Sequence, residues 1–273
     1  MTRKYVVLFL VFFGFFAAAN VRAQYSHIVD VKGTDHNLST SGTGSIHSTT
    51  LNQICYFCHT PHQEMNTTDP AVTTPPNAQI PLWNHYLSNV SSYGVYSSPS
   101  FDALGTNIAD LGSTNVAGMA RASNLCLSCH DGTVGVNTLY KGVYSATGNA
   151  SPAMSCNGTT VAANTPCYMP SGAVFPQNPA LGLREDHPIN FTYDATLAAK
   201  TVDLVTPTYN TTGIGGTRYG VTGSAAGLFL PLFVNNTMQC ATCHNVHSNR
   251  IGRPFLRDTT TNSALCLDCH GAS

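Results

Sequence analysis

The chain has 273 residues, of which 9% are charged, and its 12 basic and 13 acidic side chains give a formal net charge of −1. Removing the leader inferred below, which contains Arg3, Lys4 and Arg22, leaves a net charge of about −4, and this argues against a nucleic acid as partner. The low charge and the many Ser, Thr, Asn, Gly and Pro residues predict a fold that is rich in turns and poor in helix.

The first 23 residues have the layout of a secretory signal peptide, with basic residues, an apolar run at 6–19 and a small-residue cleavage site ending at Ala23. We expect the mature chain to begin near Gln24. The alternative is an uncleaved membrane anchor, but the apolar run is shorter than the roughly 18 residues that a membrane-spanning helix needs. The sequence therefore predicts export across the inner membrane.

Residues 24–54 form an N-terminal arm that contains His27, His36 and His47 but few large apolar side chains. Such a segment cannot bury enough surface to fold alone. The arm could wrap the cofactors of its own molecule, or it could cross to the next molecule and supply a metal ligand there.

Eight of the ten cysteines lie in four copies of the pattern Cys-x-x-Cys-His. The copies come in two pairs, at 55–59 and 126–130 and again at 240–244 and 266–270. Two thiols at this spacing can form thioethers with one porphyrin, and the adjacent histidine then binds the iron as proximal ligand. Structural zinc sites and thioredoxin-like pairs also use Cys-x-x-Cys, but neither needs the histidine, and an oxidising compartment disfavours both.

The pattern therefore predicts four covalent haems of the c type. The thioether cysteines are Cys55, Cys58, Cys126, Cys129, Cys240, Cys243, Cys266 and Cys269. The proximal iron ligands are His59, His130, His244 and His270. We expect one compact domain over 24–273 whose core is built on the four haems, mostly irregular, with a few short α-helices near the motifs, especially at 263–270, and little β-structure.

A haem-free insert at 131–239 separates the first haem pair, at 55–130, from the second, at 240–273. It contains Cys156 and Cys167, which no histidine follows, and we expect a structural disulfide between them. Its apolar run at 228–234 is either a buried strand or a lid over a porphyrin, and Pro231 at its centre favours the lid.

Seven histidines lie outside the motifs and can supply distal iron ligands: His27, His36, His47, His62, His85, His187 and His247. His62 and His247 each follow a motif histidine by three residues, too close to reach the opposite face of that haem, so each is expected to serve a different haem. His187 is a further candidate, and His85 is a weaker one. Methionine ligation is the alternative, but the surplus of histidines favours bis-histidine haems of lower potential. The methionines concerned are Met65, Met119, Met154, Met169 and Met238.

The motifs, together with His187-Pro-Ile and Leu82-Trp83-Asn84, resemble the doubled CxxCH multihaem cytochromes over most of the mature chain. Within that group the chain is most similar to the tetrahaem extracellular cytochrome filaments of metal-reducing bacteria, of the outer-membrane cytochrome E type. The resemblance implies bis-histidine haems stacked in a continuous chain, with one iron per subunit ligated by a neighbour's histidine. It also implies that His36 joins His62, His187 and His247 as distal ligands, with His47 and then His27 as the nearest rivals.

Three functions follow as hypotheses. The first is a non-enzymatic conduit that assembles head to tail outside the cell and passes electrons from redox donors to extracellular acceptors such as metal oxides or other cytochromes. The second is a monomeric periplasmic carrier. The third is a multihaem reductase with one open iron site, which the supply of histidines and the four intact motifs disfavour.

Overall fold

A computed structural model of the chain describes residues 31–62, 82–88, 90, 93–94, 96–103, 121–145, 148–170, 174, 182–210, 218–223, 228–248 and 255–271. The expected signal peptide and His27 lie outside these residues. In the described part of the chain, none of the helices has the length and hydropathy of a membrane span.

The helices are short, and three of the four described α-helices overlap a cysteine motif. The α-helices are α1 (Arg121–His130), α2 (Ala195–Ala198), α3 (Cys240–Cys243) and α4 (Ala264–Leu267). Turns of 3₁₀ helix lie at Ile54–Phe57, Val234–Asn236 and Thr261–Ser263. The carboxylate of Asp194 caps α2 by accepting a hydrogen bond from the Leu197 backbone N–H at 2.9 Å.

The strands of the described residues form three small antiparallel sheets. They are β1 (Ile46–Ser48), β2 (Val143–Ser145), β3 (Gly148–Ala150), β4 (Met154–Cys156), β5 (Thr159–Val161), β6 (Thr208–Asn210), β7 (Arg218–Thr222) and β8 (Phe229–Pro231). The sheets have the strand orders β1-β4-β5, β2-β3 and β6-β7-β8. Seven of the eight described strands, β2 to β8, lie within the haem-free insert.

The described part of the N-terminal arm packs on its own chain. Strand β1 pairs with β4 of the insert, with Ile46 opposite Cys156. The disulfide between Cys156 and Cys167 is formed, and Cys167 is fully buried. These residues of the arm therefore contact the haem-free insert of their own chain.

Part of the apolar run at 228–234 forms a strand, Phe229–Pro231, although Pro231 favoured the lid. Among the described strands, β8 lies at the edge of its sheet and pairs with β7 alone, and an edge is the position where a sheet tolerates proline. Gly220 on β7 lies opposite Pro231, and a Cβ atom there would overlap the carbonyl oxygen of Leu230. Close approach of the two strands therefore requires glycine at this position.

Two apolar clusters organise the packing. The first core contains Ile46, Leu51, Phe57, Val136, Leu139, Met154 and Cys167. The second core contains Ala103, Phe191, Tyr193, Leu197, Ala198, Val221, Leu230, Leu232 and Met238. Cys58 and Cys129 pack against the first core, whereas Cys243 and Cys269 pack against the second. Each core thus supports the second cysteine of both motifs in one pair.

Candidate haem-attachment sites

One turn of helical backbone shapes each attachment motif. The backbone N–H of His59 donates to the carbonyl of Cys55 at 2.7 Å, that of His244 to Cys240 at 3.0 Å, and that of His270 to Cys266 at 2.8 Å. The second motif forms the last turns of α1. Residues three apart in such a turn lie on one face, so both thiols of a motif point to the same side.

Asn84 holds the first motif in place. This buried side chain donates to the carbonyls of Tyr56 and Lys141 at 2.7 and 3.1 Å and accepts from the Lys141 N–H at 2.7 Å. Its own N–H donates to the Cys58 carbonyl at 3.0 Å. In the sequence, Leu82-Trp83-Asn84 was only one of the segments that carried the family resemblance. The hydrogen bonds of Asn84 to the first motif become evident only in the folded chain.

Three motif histidines each lie opposite a histidine from outside the motifs. The ring centroids are 6.0 Å apart for His59 and His247, 6.2 Å for His130 and His36, and 6.4 Å for His270 and His187. Each pair joins segments that are distant in sequence, and each non-motif member is one of the four expected distal ligands.

These separations suit two imidazoles on one iron. An imidazole nitrogen lies about 2 Å from a metal ion that it binds, so two rings on opposite sides of an iron have centroids roughly 6 Å apart. Ordinary aromatic contacts span the same range. What distinguishes the three pairs is their composition, because every one combines a motif histidine with a non-motif histidine.

Two buried ring nitrogens beside these motif histidines lack a hydrogen-bond partner among the described residues. They are Nδ1 of His36 and Nε1 of Trp83. His36 is in ring contact with His130, and Trp83 is in ring contact with His59. Buried donors without partners are rare in proteins. The residues here therefore fit a prosthetic group at both sites.

The surroundings of two non-motif histidines, His36 and His187, suit metal binding by an imidazole. Burial, with a smaller contribution from the nearby His130, lowers the pKa of His36 to about 4, so its imidazole is neutral at neutral pH. Nδ1 of His187 lies 2.9 Å from the Pro188 carbonyl, which orients the ring as second partners of metal-bound histidines do.

The remaining expected ligands have different surroundings. His62 is exposed, and no second histidine ring lies against it in the described part of the chain. His47 lies on β1, with Nδ1 2.9 Å from the Gly44 carbonyl. His85 is buried, and its ring nitrogens lie 2.8 and 2.9 Å from the carbonyl oxygens of Tyr86 and Gly135. These contacts indicate a structural role for its ring.

The methionines considered as alternative iron ligands lie in or against the two apolar cores, as far as the structure describes them. Met154 is fully buried in the first core, and Met238 is buried in the second. Met169 is partly buried against the first core, and Met65 and Met119 lie outside the described residues.

The eight motif cysteines differ in exposure. Cys55 of the first motif and Cys266 of the fourth are exposed, whereas the other six are partly buried. Leu267, beside Cys266, is also exposed to 42%. The first and fourth attachment sites thus open to the surface, and the second and third lie further inside.

Comparison with known proteins supports the same chemistry for part of the chain. No curated protein matches the sequence. Residues 234–273, which contain the third and fourth motifs, match the family model described as the doubled CXXCH motif. This match indicates covalently bound haem c and electron transfer of the kind found in multihaem c-type cytochromes.

Proposed function

We propose that the chain carries four six-coordinate c-type haems and transfers electrons along them without transforming a substrate. The observation that carries this proposal is the set of three histidine pairs, His59 with His247, His130 with His36, and His270 with His187. Two histidine ligands leave an iron no open position for a substrate, and they favour lower potentials than methionine ligation does.

His62 is assigned to the third haem by the symmetry of the repeat. His247, which follows His244 by three residues, lies opposite His59 of the first motif. His62 follows His59 by the same offset. By the equivalent exchange His62 would bind the iron that His244 holds, and the first and third haems would each take a ligand from the other's segment.

We further propose that the protein is exported and assembles outside the cell into a filament that passes electrons to acceptors such as metal oxides or other cytochromes. Two observations support this proposal. The sequence resembles the extracellular tetrahaem filaments, and the first and fourth attachment sites are the two with an exposed cysteine. Surface haems at two separate sites suit the entry and exit of electrons between successive molecules.

Electron microscopy and size determination of the native protein test the assembly. The expected result is filaments of repeating subunits, each with four haems. A sample that elutes only as a single species near the 29.0 kDa chain mass and forms no filaments would favour the monomeric periplasmic carrier and contradict the filament.

Electron paramagnetic resonance of the oxidised protein separates the conduit from a reductase. Bis-histidine ligation predicts that all haems are low-spin. A high-spin signal from one haem in four would instead indicate an open iron site, and it would contradict the non-enzymatic function.

A further inference from the structure

A buried polar junction connects the segments that carry the second and third motifs. Ser123 on α1 donates its hydroxyl hydrogen to Oε1 of Gln239 at 2.5 Å and accepts the backbone N–H of Cys240 at 3.1 Å. Both Ser123 and Gln239 are 0% exposed. The junction therefore connects two attachment segments that are more than a hundred residues apart in sequence.

Further hydrogen bonds fix Gln239 from its other side. Its Nε2 donates to Oδ1 of Asn190 at 3.0 Å and to Oγ1 of Thr237 at 3.1 Å, and both of these residues are also fully buried. Its backbone N–H donates to the Thr242 hydroxyl at 3.0 Å, which begins α3. A buried network whose members are hydrogen-bonded in this way is rigid and specifies one arrangement.

The junction is not needed to shape either motif. The second motif is formed by α1 itself, and the third has its own hydrogen bond from His244 to Cys240. What the junction sets is the distance between them: Ser123 precedes Cys126 by less than one helical turn, and Gln239 directly precedes Cys240. Helices α1 and α3, which carry these motifs, contact each other at this point.

We propose that Ser123, acting through Gln239, is a positioning residue that fixes the spacing between the second and third haems and thereby the electron transfer between the two halves of the chain. This inference rests on the proposed function. The transfer it concerns moves one electron, oxidising one iron as the next is reduced, with no bond formed or broken. Tunnelling of that electron weakens steeply with the distance between the two groups, so a small loosening of α1 against α3 has a large effect.

The test compares the haem-loaded protein with Ser123→Ala and Ser48→Ala. Ser48 is the matched control because it is also a fully buried serine that donates to a carbonyl, that of Ala153 at 3.0 Å, and accepts from backbone N–H groups, including Leu51 at 2.9 Å. It lies on β1 and connects no two motifs. Both variants lose comparable hydrogen bonds, so both are expected to lower the melting temperature to a similar extent.

The decisive measurement is the coupling between ferric haems, read from exciton splitting of the Soret band in circular dichroism and from spin–spin broadening in electron paramagnetic resonance. With four low-spin haems retained in every sample, Ser123→Ala is expected to weaken this coupling and to slow flash-induced transfer within the molecule several-fold. Ser48→Ala is expected to change neither. Ser123→Thr, which keeps the hydroxyl, is expected to restore both.

Two results would overturn the inference, and they differ from failure of the proposed function. Wild-type coupling and transfer in Ser123→Ala, with a stability loss like that of Ser48→Ala, would reduce the junction to a structural role. If the Ser123→Ala protein binds fewer than four haems, the coupling and the transfer rate are measured in Gln239→Asn instead. This variant keeps the amide but shortens its reach to Ser123. Absence of transfer between haems in the unmodified protein would instead overturn the proposed function itself.

Discussion

At the scale of single residues, the histidines divide by their surroundings rather than by their spacing. His36 lies against the motif ring of His130 and stacks on Phe255 at 4.7 Å, with one buried ring nitrogen that no described residue satisfies. His47, on the same arm, instead has a backbone carbonyl beside its Nδ1. These surroundings favour His36 over its nearest rival as the distal ligand of the second haem.

We expect His36→Ala to convert one low-spin haem of the four to a high-spin haem, because the thioethers and the proximal His130 remain while the distal ligand is lost. Electron paramagnetic resonance measures the spin states, and a haem assay by pyridine haemochrome should still give four per chain. The matched variant is His47→Ala, which should leave all haems low-spin. A high-spin signal in His47→Ala and none in His36→Ala would reverse the assignment.

At the scale of elements, short pieces of secondary structure depend on a few tertiary contacts. The strands of the described chain have three to five residues, too few to be stable alone. Strand β8 stays in place because Leu230 and Leu232 are buried in the second core and because Gly220 lets β7 approach closely.

Gly220→Ala is expected to destabilise the protein by about 1–3 kcal/mol, since the new methyl group would overlap the Leu230 carbonyl and force the two strands apart. Chemical denaturation measures the change in the free energy of unfolding. Gly33→Ala is the control, because a Cβ atom there meets no atom within 4 Å, and its effect should stay within about 0.5 kcal/mol. Equal effects at both positions would contradict this explanation.

The disulfide closes a loop within the haem-free insert, beside the strand β4 that pairs with the arm. Replacing Cys156 and Cys167 by serine is expected to lower the free energy of unfolding by about 2–3 kcal/mol, because the pair closes a short loop and Cys167 is buried in the first core. Denaturation of the oxidised protein measures this loss, and mass spectrometry should still find four haems. Loss of a haem in the double variant would mean that one of these cysteines takes part in attachment.

At the scale of the whole molecule, the third attachment segment connects the other three. It meets the second through Ser123 and Cys240, and it reaches the first through His247 and His59. The third and fourth segments share the second core, against which both Cys243 and Cys269 pack. The fourth motif lies at the surface, where Cys266 is exposed.

Removal of the third haem should therefore be more damaging than removal of the fourth. Replacement of both Cys240 and Cys243 by alanine is expected to lower the loading of the other haems and the melting temperature of the whole protein. Replacement of Cys266 and Cys269 should leave three haems bound. Intact-mass spectrometry and thermal denaturation compare the two variants, and equal or reversed effects would contradict a central third segment.

Much of the attachment chemistry could be predicted from the sequence because it is local. Two thiols and a histidine within five residues occupy one helical turn, whatever the rest of the chain does, so the motif residues and the covalent haem c were available from spacing alone. The pairing of Cys156 with Cys167 was likewise available, because no other cysteine lay outside the motifs.

Only the tertiary structure decided which segments meet. The partners of His59, His130 and His270 come from positions 188, 94 and 83 residues away along the chain, and no periodicity encodes such a distance. The same holds for Ser123, a serine without a sequence signal that becomes important where α1 meets α3. The strand at Phe229–Pro231 was hard to predict for a related reason: Pro231 excludes an interior strand, but whether a strand lies at an edge depends on its neighbours. The sequence by itself determined the cofactor and its covalent attachment, which depend on near neighbours, whereas the path between the haems depends on contacts that exist only once the chain has folded.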